Sequence, residues 1–335
     1  MSEHIKSEKR GVLGLLTLNR PNALNALDHG VILAISTQLQ AWATDDTVKT
    51  VAIRGEGARA FCSGGDIRAV QQWVVAGSDE GVGLLRDEYQ MNALIGAYPK
   101  PYIALIHGIC MGGGAGVSVH GKYRLADASL SFAMPETGIG FIPDVGASFF
   151  LSRLPDEMGM YLGLTGSPIG LADALDVGLM THAVNQTDFD AVLQALAQGR
   201  DFTPFVKKPK PGPLAVHRKR IATLFAAPSV EAILERLDRD GSDFATDAAQ
   251  TIRMRSPTSL KLVFRQLREA RGLNLKQCLA MEFRVANRVL PGHDFREGVR
   301  AALIDKDRNP KWQPASLAGV GDLDAFFAPL QDELF

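Results

Sequence analysis

Four apolar runs in this chain each end in a glycine-rich or tight turn and lead into a stretch with helical spacing. Residues 12–18 pass through Asn19-Arg20-Pro21 into 26–42, and 48–54 pass through Gly55-Glu56-Gly57 and Ser63-Gly64-Gly65-Asp66 into 67–75. Residues 102–106 pass through Gly112-Gly113-Gly114 into 115–120, and 125–134 pass through a Gly/Pro loop into 147–154. Strand alternating with helix predicts an α/β fold with crossover connections, because parallel strands need a long return path rather than a hairpin. The repetition is one of supersecondary units, not of sequence.

At roughly 150 residues per domain, 335 residues allow one large core and a smaller partner. The composition shifts near residue 200. Lys207, Lys208, Lys210, Arg218, Lys219 and Arg220 stand among prolines and a glycine, and 205–220 reads as a linker. Beyond it, 230–237, 258–270 and 275–289 carry helical apolar spacing. The expected division is therefore a core over 1–204 and a mainly helical region over 205–335.

Net charge is −1, so no global field draws this chain to nucleic acid or to an anionic membrane. A substrate carrying phosphates needs a local basic patch. Cys62, Cys110 and Cys278 lie far apart, with neither a disulfide framework nor zinc spacing, which suits a reducing compartment. The polar stretch before the first apolar run is too short for a signal or transit peptide. No apolar run approaches the ~20 residues that span a bilayer. The expected location is the cytoplasm, although a trimmed organellar protein would present the same sequence.

Gly113 and Gly65 each stand in a glycine turn between an apolar strand and a helix. Two backbone N–H groups from such turns can converge on one oxygen and hold developing negative charge. The competing reading is tight turns or close packing, the usual work of glycine. Glu136 follows Pro135, 23 residues past Gly113, and Asp144 follows Pro143, eight residues past Glu136. Loops on a rigid scaffold often carry catalysis, but Glu136 could equally be an N-cap or surface carboxylate, and Asp144 could equally cap a helix starting near Ala147. Leu84, Glu88, Met91 and Ile95 share one helical face, which places Glu88 in an apolar stripe. A carboxylate there is either paired, with Arg86 or Arg124 nearby, or poised in a site with a raised pKa. His107 and His120 flank the glycine run and read as hydrogen-bonded core histidines. Dinucleotide, P-loop and Gly-x-Ser-x-Gly patterns do not occur, which weakens nucleotide-binding and serine-hydrolase readings. Oxyanion donors with carboxylates on loops suggest acyl chemistry on a carbonyl compound.

These residues resemble the crotonase (enoyl-CoA hydratase/isomerase) superfamily, and within it the 3-hydroxyisobutyryl-CoA hydrolase branch. The matching stretches are Asn19-Arg20-Pro21-x-Ala23-Leu24-Asn25-Ala26-Leu27, Ala60-Phe61-Cys62-Ser63-Gly64-Gly65-Asp66-Ile67-Arg68 and Arg86-Asp87-Glu88-Tyr89. They continue through Lys100-Pro101-Tyr102, Met111-Gly112-Gly113-Gly114 and Ser118-Val119-His120-Gly121. Then come Phe132-Ala133-Met134-Pro135-Glu136-Thr137-x-Ile139-Gly140 and Pro143-Asp144-Val145-Gly146. Near the C-terminus His293-Asp294-Phe295-x-Glu297-Gly298-Val299-Arg300-Ala301 and Ile304-Asp305-Lys306-Asp307 match too.

The resemblance implies a spiral of ββα turns followed by a mainly helical C-terminal region, and a bound acyl-CoA thioester. CoA is then part of the substrate, with no separate cofactor and no metal. It implies an oxyanion hole from the N–H groups of Gly65 and Gly113. Hydratases of the superfamily carry a first catalytic glutamate three residues after the position of Gly113; here Gly116 stands there, while their second glutamate corresponds to Glu136. The hydrolase branch implies Glu88, Gly113, Glu136 and Asp144 as the substrate-contacting set. Arg20 and Arg59 are candidates for CoA phosphate, and the backbone at Asp66-Ile67 for the adenine. Relatives that form trimers or pairs of trimers make a homo-oligomer the expected assembly, with the C-terminal extension altering the packing. The leading expectation is hydrolysis of a short-chain 3-hydroxyacyl-CoA, most of all 3-hydroxyisobutyryl-CoA in valine breakdown. A hydratase or isomerase using one glutamate, and a non-catalytic acyl-CoA-binding protein, are the alternatives.

Overall fold

The computed structural model describes residues 2–335. They form two compact units that interleave along the chain. One gathers the chain through Asp66, then Asp87–Ala133 and Pro168–Gly212; the other gathers Ile67–Arg86, Met134–Ser167 and Pro213–Phe335. A single division at 204/205 does not anticipate this. Only the last crossing, from Gly212 to Pro213, lies near it.

The first unit holds ten strands: β1 (Ile5–Arg10), β2 (Leu13–Leu18), β3 (Thr50–Gly55), β4 (Ala60–Cys62), β5 (Tyr102–Ile106), β6 (Ile109–Met111), β7 (Tyr123–Ala126), β8 (Ser131–Ala133), β9 (His182–Val184) and β10 (Val206–Lys207). Seven form one sheet in the order β1-β2-β3-β5-β7-β9-β10, and three form a second in the order β4-β6-β8. Every residue of β2 and β5 is buried, as expected of strands covered on both faces. β2 through β9 pair in parallel, and only the edge pairs β1·β2 and β9·β10 are antiparallel.

The winding is regular. β3, β5 and β7 enter the larger sheet, and each is followed by a strand, β4, β6 or β8, that enters the smaller one before a helix follows. This is the expected spiral of ββα turns. Leu13, Leu15, Ala52, Ile103, Leu105 and Leu125 of the larger sheet pack on Val192, Leu193 and Leu196 of the helix Phe189–Ala197.

Several expected bounds move for local reasons. The run 125–134 is two strands in different sheets. Asp127 accepts hydrogen bonds from the amide and hydroxyl of Ser129 (3.1 and 2.6 Å), and this short polar turn redirects the chain. The helix expected over 26–42 is His29–Thr44, because the Asp28 side chain caps it by accepting the Val31 amide at 2.8 Å. The helix after the glycine run is only Gly113–Gly116. The stretch read as a linker contains β10, paired to β9, then a short 3₁₀ turn Pro213–His217 and the start of the helix Arg218–Phe225.

The second unit is helical. Val230–Asp240, Asp243–Arg253, Pro257–Glu269 and Leu275–Val289 each begin on a polar cap, and Ser229, Ser242, Ser256 and Asn274 accept amides of the first turn. Their apolar stripes face inward: Ile233 and Leu237, Ala249 and Ile252, Leu260 and Val263, Leu279 and Phe283 are buried. Met158–Thr165 has no polar face, and all eight of its residues are buried.

Candidate active site

In the first unit, each member of the triple glycine has its own reason. Gly112 adopts φ +49° at the turn out of β6. A Cβ on Gly114 would lie 2.4 Å from the carbonyl oxygen of Cys62. A Cβ on Gly113 would lie 2.5 Å from Oε1 of Glu88 and 3.3 Å from the amide nitrogen of Gly65. Gly65 and Gly113 are therefore neighbours, as two converging N–H donors require. The amides around them are in use: Asp66 donates to Leu27, and Ala115 and Gly116 donate to Gly112. Among the described residues, neither the Gly65 nor the Gly113 amide donates to a backbone carbonyl.

Glu88 lies on the helix Glu80–Gly96, is 3% exposed and sits against Gly113. The two guanidinium groups suggested as its partners are engaged elsewhere. Arg86 donates to the carbonyls of Asp332 and Glu333, and Arg124 to those of Gly121, Gly178 and Leu179. One turn beyond Glu88, Asn92 is fully buried, and neither atom of its amide has a hydrogen-bond partner. His107 is a core residue, buried with its ring edge-on to Phe189 and its pKa lowered by burial. Among the described residues, however, neither of its ring nitrogens has a hydrogen-bond partner, and His120 is only half-buried, so the hydrogen-bonded core pair is not found.

Of the expected CoA contacts, Arg20 forms an ion pair with Asp66 at 2.7 Å. Arg59 is exposed and donates to the carbonyl of Pro21 at 3.3 Å. Asp66 ends a segment of the first unit, and Ile67 begins the helix Ile67–Ala76 of the second.

In the second unit, Glu136 opens a 3₁₀ turn, Glu136–Ile139, that ends on Gly140 at φ +68°. The turn is gripped from behind. Ser256 donates its amide to Thr137, and Gly298 lets the helix His293–Val299 approach so closely that a Cβ there would lie 2.3 Å from the carbonyl carbon of Ile139. The matching C-terminal stretches are thus structural. Asp294 accepts from Ser256 Oγ at 2.6 Å and from the Gln313 amide at 2.8 Å. Arg300 ties Glu297, Asp305 and Asp307 together at 2.6 to 2.9 Å.

Glu136 is 7% exposed, Asp144 is 6% exposed, and Oε2 of Glu136 has no hydrogen-bond partner. Burial first, and the negative charge of Asp144 second, push the Glu136 carboxyl well above its ordinary value. Asp144 does not cap the following helix, Ala147–Leu151, whose cap position is Gly146 with no side-chain bond. The sequence reading missed Glu282, a fully buried carboxylate on Leu275–Val289 that bonds the loop carrying Asp144. Cys278, Leu279, Glu282 and Ala286 lie on one helical face, the same signal that marks Glu88.

The two units thus hold, respectively, a pair of glycine amides beside a buried glutamate, and a buried carboxyl of raised pKa, Glu136, with the charge of Asp144 beside it. Amides of the first kind can hold charge on a carbonyl oxygen, and carboxyls of the second kind can move protons. The enoyl-CoA hydratase/isomerase family model matches residues 13–327, and the chain belongs to that family. It is 45% identical to a 3-hydroxyisobutyryl-CoA hydrolase, mitochondrial, of Xenopus tropicalis, over 96% of this chain and 88% of that protein. It is 41% identical to the human protein of the same name, over 96% and 87%. Among solved structures, a carnitinyl-CoA dehydratase from Mycobacterium thermoresistibile superposes with TM-score 0.96 at 40% identity, covering 100% of this chain and 99% of that one. An enoyl-CoA hydratase from Rhodobacter sphaeroides gives 0.94 at 36%, covering 98% of each. Among the described residues, no helix is long and apolar enough to cross a membrane.

Proposed function

We propose that this protein hydrolyses a short-chain 3-hydroxyacyl-CoA thioester, 3-hydroxyisobutyryl-CoA before others, to the free acid and CoA. The observation that carries the reading is Glu136, a buried carboxyl with a raised pKa and Asp144 beside it. The names of relatives at 41 to 45% identity supply the substrate class. Nucleophilic attack places negative charge on the thioester oxygen. The amides of Gly65 and Gly113 are its donors, each worth about 3 kcal/mol in such sites. Glu136 either takes a proton from the attacking water or attacks the carbonyl itself to form an anhydride that water then opens. The C–S bond breaks in either route: in the first, the proton taken from water passes from Glu136 to the departing sulfur, and in the second CoA leaves as the thiolate and is protonated by solvent. Asp144 holds the 3-hydroxyl or helps to position water, and Glu88 supports the polar surroundings of Gly113. Arg20, Arg59 and the backbone at Asp66 and Ile67 are the proposed contacts of the CoA moiety.

A second reading, addition or removal of water across a double bond, draws on the names of the two structural relatives, a dehydratase and a hydratase. Against it stands Gly116, where a two-glutamate hydratase needs its first carboxylate. Purified protein mixed with 3-hydroxyisobutyryl-CoA, followed by a thiol reagent, is expected to release thiol rapidly while leaving the ultraviolet absorbance of crotonyl-CoA unchanged. The opposite pattern would move the assignment to the second reading.

The pH dependence has a definite sign. Glu136 must be ionised to act as base or nucleophile, and its carboxyl lies above the ordinary value of 4.5. We expect kcat/KM for thiol release to rise with pH through an apparent pKa above 4.5. Asp144→Asn removes the neighbouring negative charge and should move that acid limb to lower pH, even as it slows the reaction. An acid limb that stays put in the variant would show that Asp144 does not set the titration.

For location, the three buried, unpaired cysteines fit a reducing compartment, and the relatives' names place those proteins in mitochondria. The cytoplasmic location is the proposal to be tested by cell fractionation.

A further inference from the structure

We infer that Glu282 is a positioning residue: its carboxylate fixes the turn that carries Asp144, and through it the way the protein reads a polar group on the acyl chain. The second half of this statement rests on the function proposed above. Glu282 lies mid-helix and is fully buried. Oε2 accepts the Gly146 amide at 2.7 Å, and Oε1 accepts the Ser148 amide at 2.7 Å and the Ser148 hydroxyl at 2.5 Å. The opposite end of the turn is held by Gln266, also fully buried, whose Nε2 donates to the carbonyl of Pro143 at 2.8 Å.

The turn needs such holding. Val145 has φ +53° and Gly146 φ +85°, two consecutive left-handed residues directly after Asp144. A β-branched residue is a genuine outlier there and persists only where its surroundings over-determine it. Glu282 and Gln266 come from two different helices and supply that determination on both sides of the strained step.

Glutamate suits the place. Three donors converge on its two carboxyl oxygens, two of them amides that cannot turn away, and both oxygens face donors. A glutamine would aim its own NH₂ at one of those amides. Burial lifts the Glu282 carboxyl to about 8, the three donors oppose that lift, and the charge of Asp144 adds to it. The Cys278 thiol, raised by burial and by Glu282, is the other titratable group facing it. Asp144 therefore adjoins two buried carboxyls, Glu136 and Glu282, and any shift of the turn alters its relation to both.

The test is a double-mutant cycle of Asp144→Asn and Glu282→Gln, read as kcat/KM for 3-hydroxyisobutyryl-CoA against isobutyryl-CoA. Glu282→Gln is expected to cut the preference for the hydroxylated thioester by about tenfold or more, and the double variant to discriminate no worse than Asp144→Asn alone. Ser148→Ala, which keeps both amide donors, should move the preference the same way by a smaller factor, and it decides the matter if Glu282→Gln fails to fold. A second readout is independent of turnover. Amide hydrogen exchange in 143–148 should speed up by about tenfold in the variants while the rest of the chain exchanges as before. Preserved discrimination, or full additivity with Asp144→Asn, would overturn the inference, as would unchanged exchange in that segment. If the wild type hydrolyses neither thioester, the proposed activity is what has failed, and the exchange result still decides whether Glu282 holds the turn.

Discussion

Glu136→Gln should lower the turnover of 3-hydroxyisobutyryl-CoA by about a thousandfold, within the 10² to 10⁴ that positioned acid–base groups contribute. KM should change little, because the amide keeps the size of the side chain and removes only its capacity to take a proton or attack a carbon. The fold should survive. Oε2 has no hydrogen-bond partner to lose, and an amide does not carry the burden of ionising in a buried place. The stability sign follows from the raised carboxyl. The unfolded chain ionises Glu136 near 4.5, and the folded chain resists ionising it. The stability this group contributes is therefore present below 4.5 and is lost as pH rises towards the folded pKa. Thermal unfolding of wild type and variant, compared from pH 5 to 8, should show the wild type losing ground as the pH rises. Near-normal turnover in a folded Glu136→Gln protein would remove Glu136 from the chemistry.

Gly113→Ala should be the next most damaging change, at about 10² to 10³ in kcat, the usual effect of losing one oxyanion donor. The new methyl would fall 2.5 Å from Glu88 Oε1 and 3.1 Å from Leu27 Cδ1. Both neighbours are buried at 3% exposure or less, so either the Glu88 carboxyl or the Gly113 backbone has to shift within a packed surround. A backbone shift would take the Gly113 amide out of line with that of Gly65, and the proposed oxyanion hole would lose one of its two donors. Steady-state kinetics with one acyl-CoA substrate should show the loss in kcat more than in KM. A drop confined to KM would mean that Gly113 only shapes the binding surface.

What the sequence discloses depends on whether a residue's role is local. β2 and β5 are legible because uninterrupted apolar runs suit strands buried on both faces. β7 and β8 merge in the sequence because only the Asp127–Ser129 turn parts them, and nothing local says that the chain changes sheets there. β10 hides among lysines and prolines because its two residues are defined by pairing to β9, not by their own composition. Glu88 announces itself through an acid on an apolar stripe, but its suggested partners do not. Arg86 and Arg124 have long side chains that reach carbonyls distant in the sequence. Glu282 carries the same periodic signal and goes unnoticed among Met281, Phe283 and Val285, since its partners are amides 134 and 136 residues away. Carboxylates at spacings of three and four within an apolar stripe are the pattern to pursue in related chains.

The interleaving of the two units also governs how the molecule can be made. A ribosome delivers the chain from its N-terminus, yet the chain passes between units after Asp66, Arg86, Ala133, Ser167 and Gly212. The first unit lacks β9 and β10 until late in synthesis, and the second has most of its material in the final stretch. The helix Met158–Thr165, apolar all round, packs on Arg218–Phe225 and Pro257–Glu269, neither of which exists when it emerges. A nascent chain must therefore carry this uncovered segment until residues up to Glu269 have followed, a period in which sticky apolar surface invites aggregation. Recombinant yield of this protein should accordingly respond to slower translation and to co-expressed holding chaperones more than to substitution of Glu136 or Asp144.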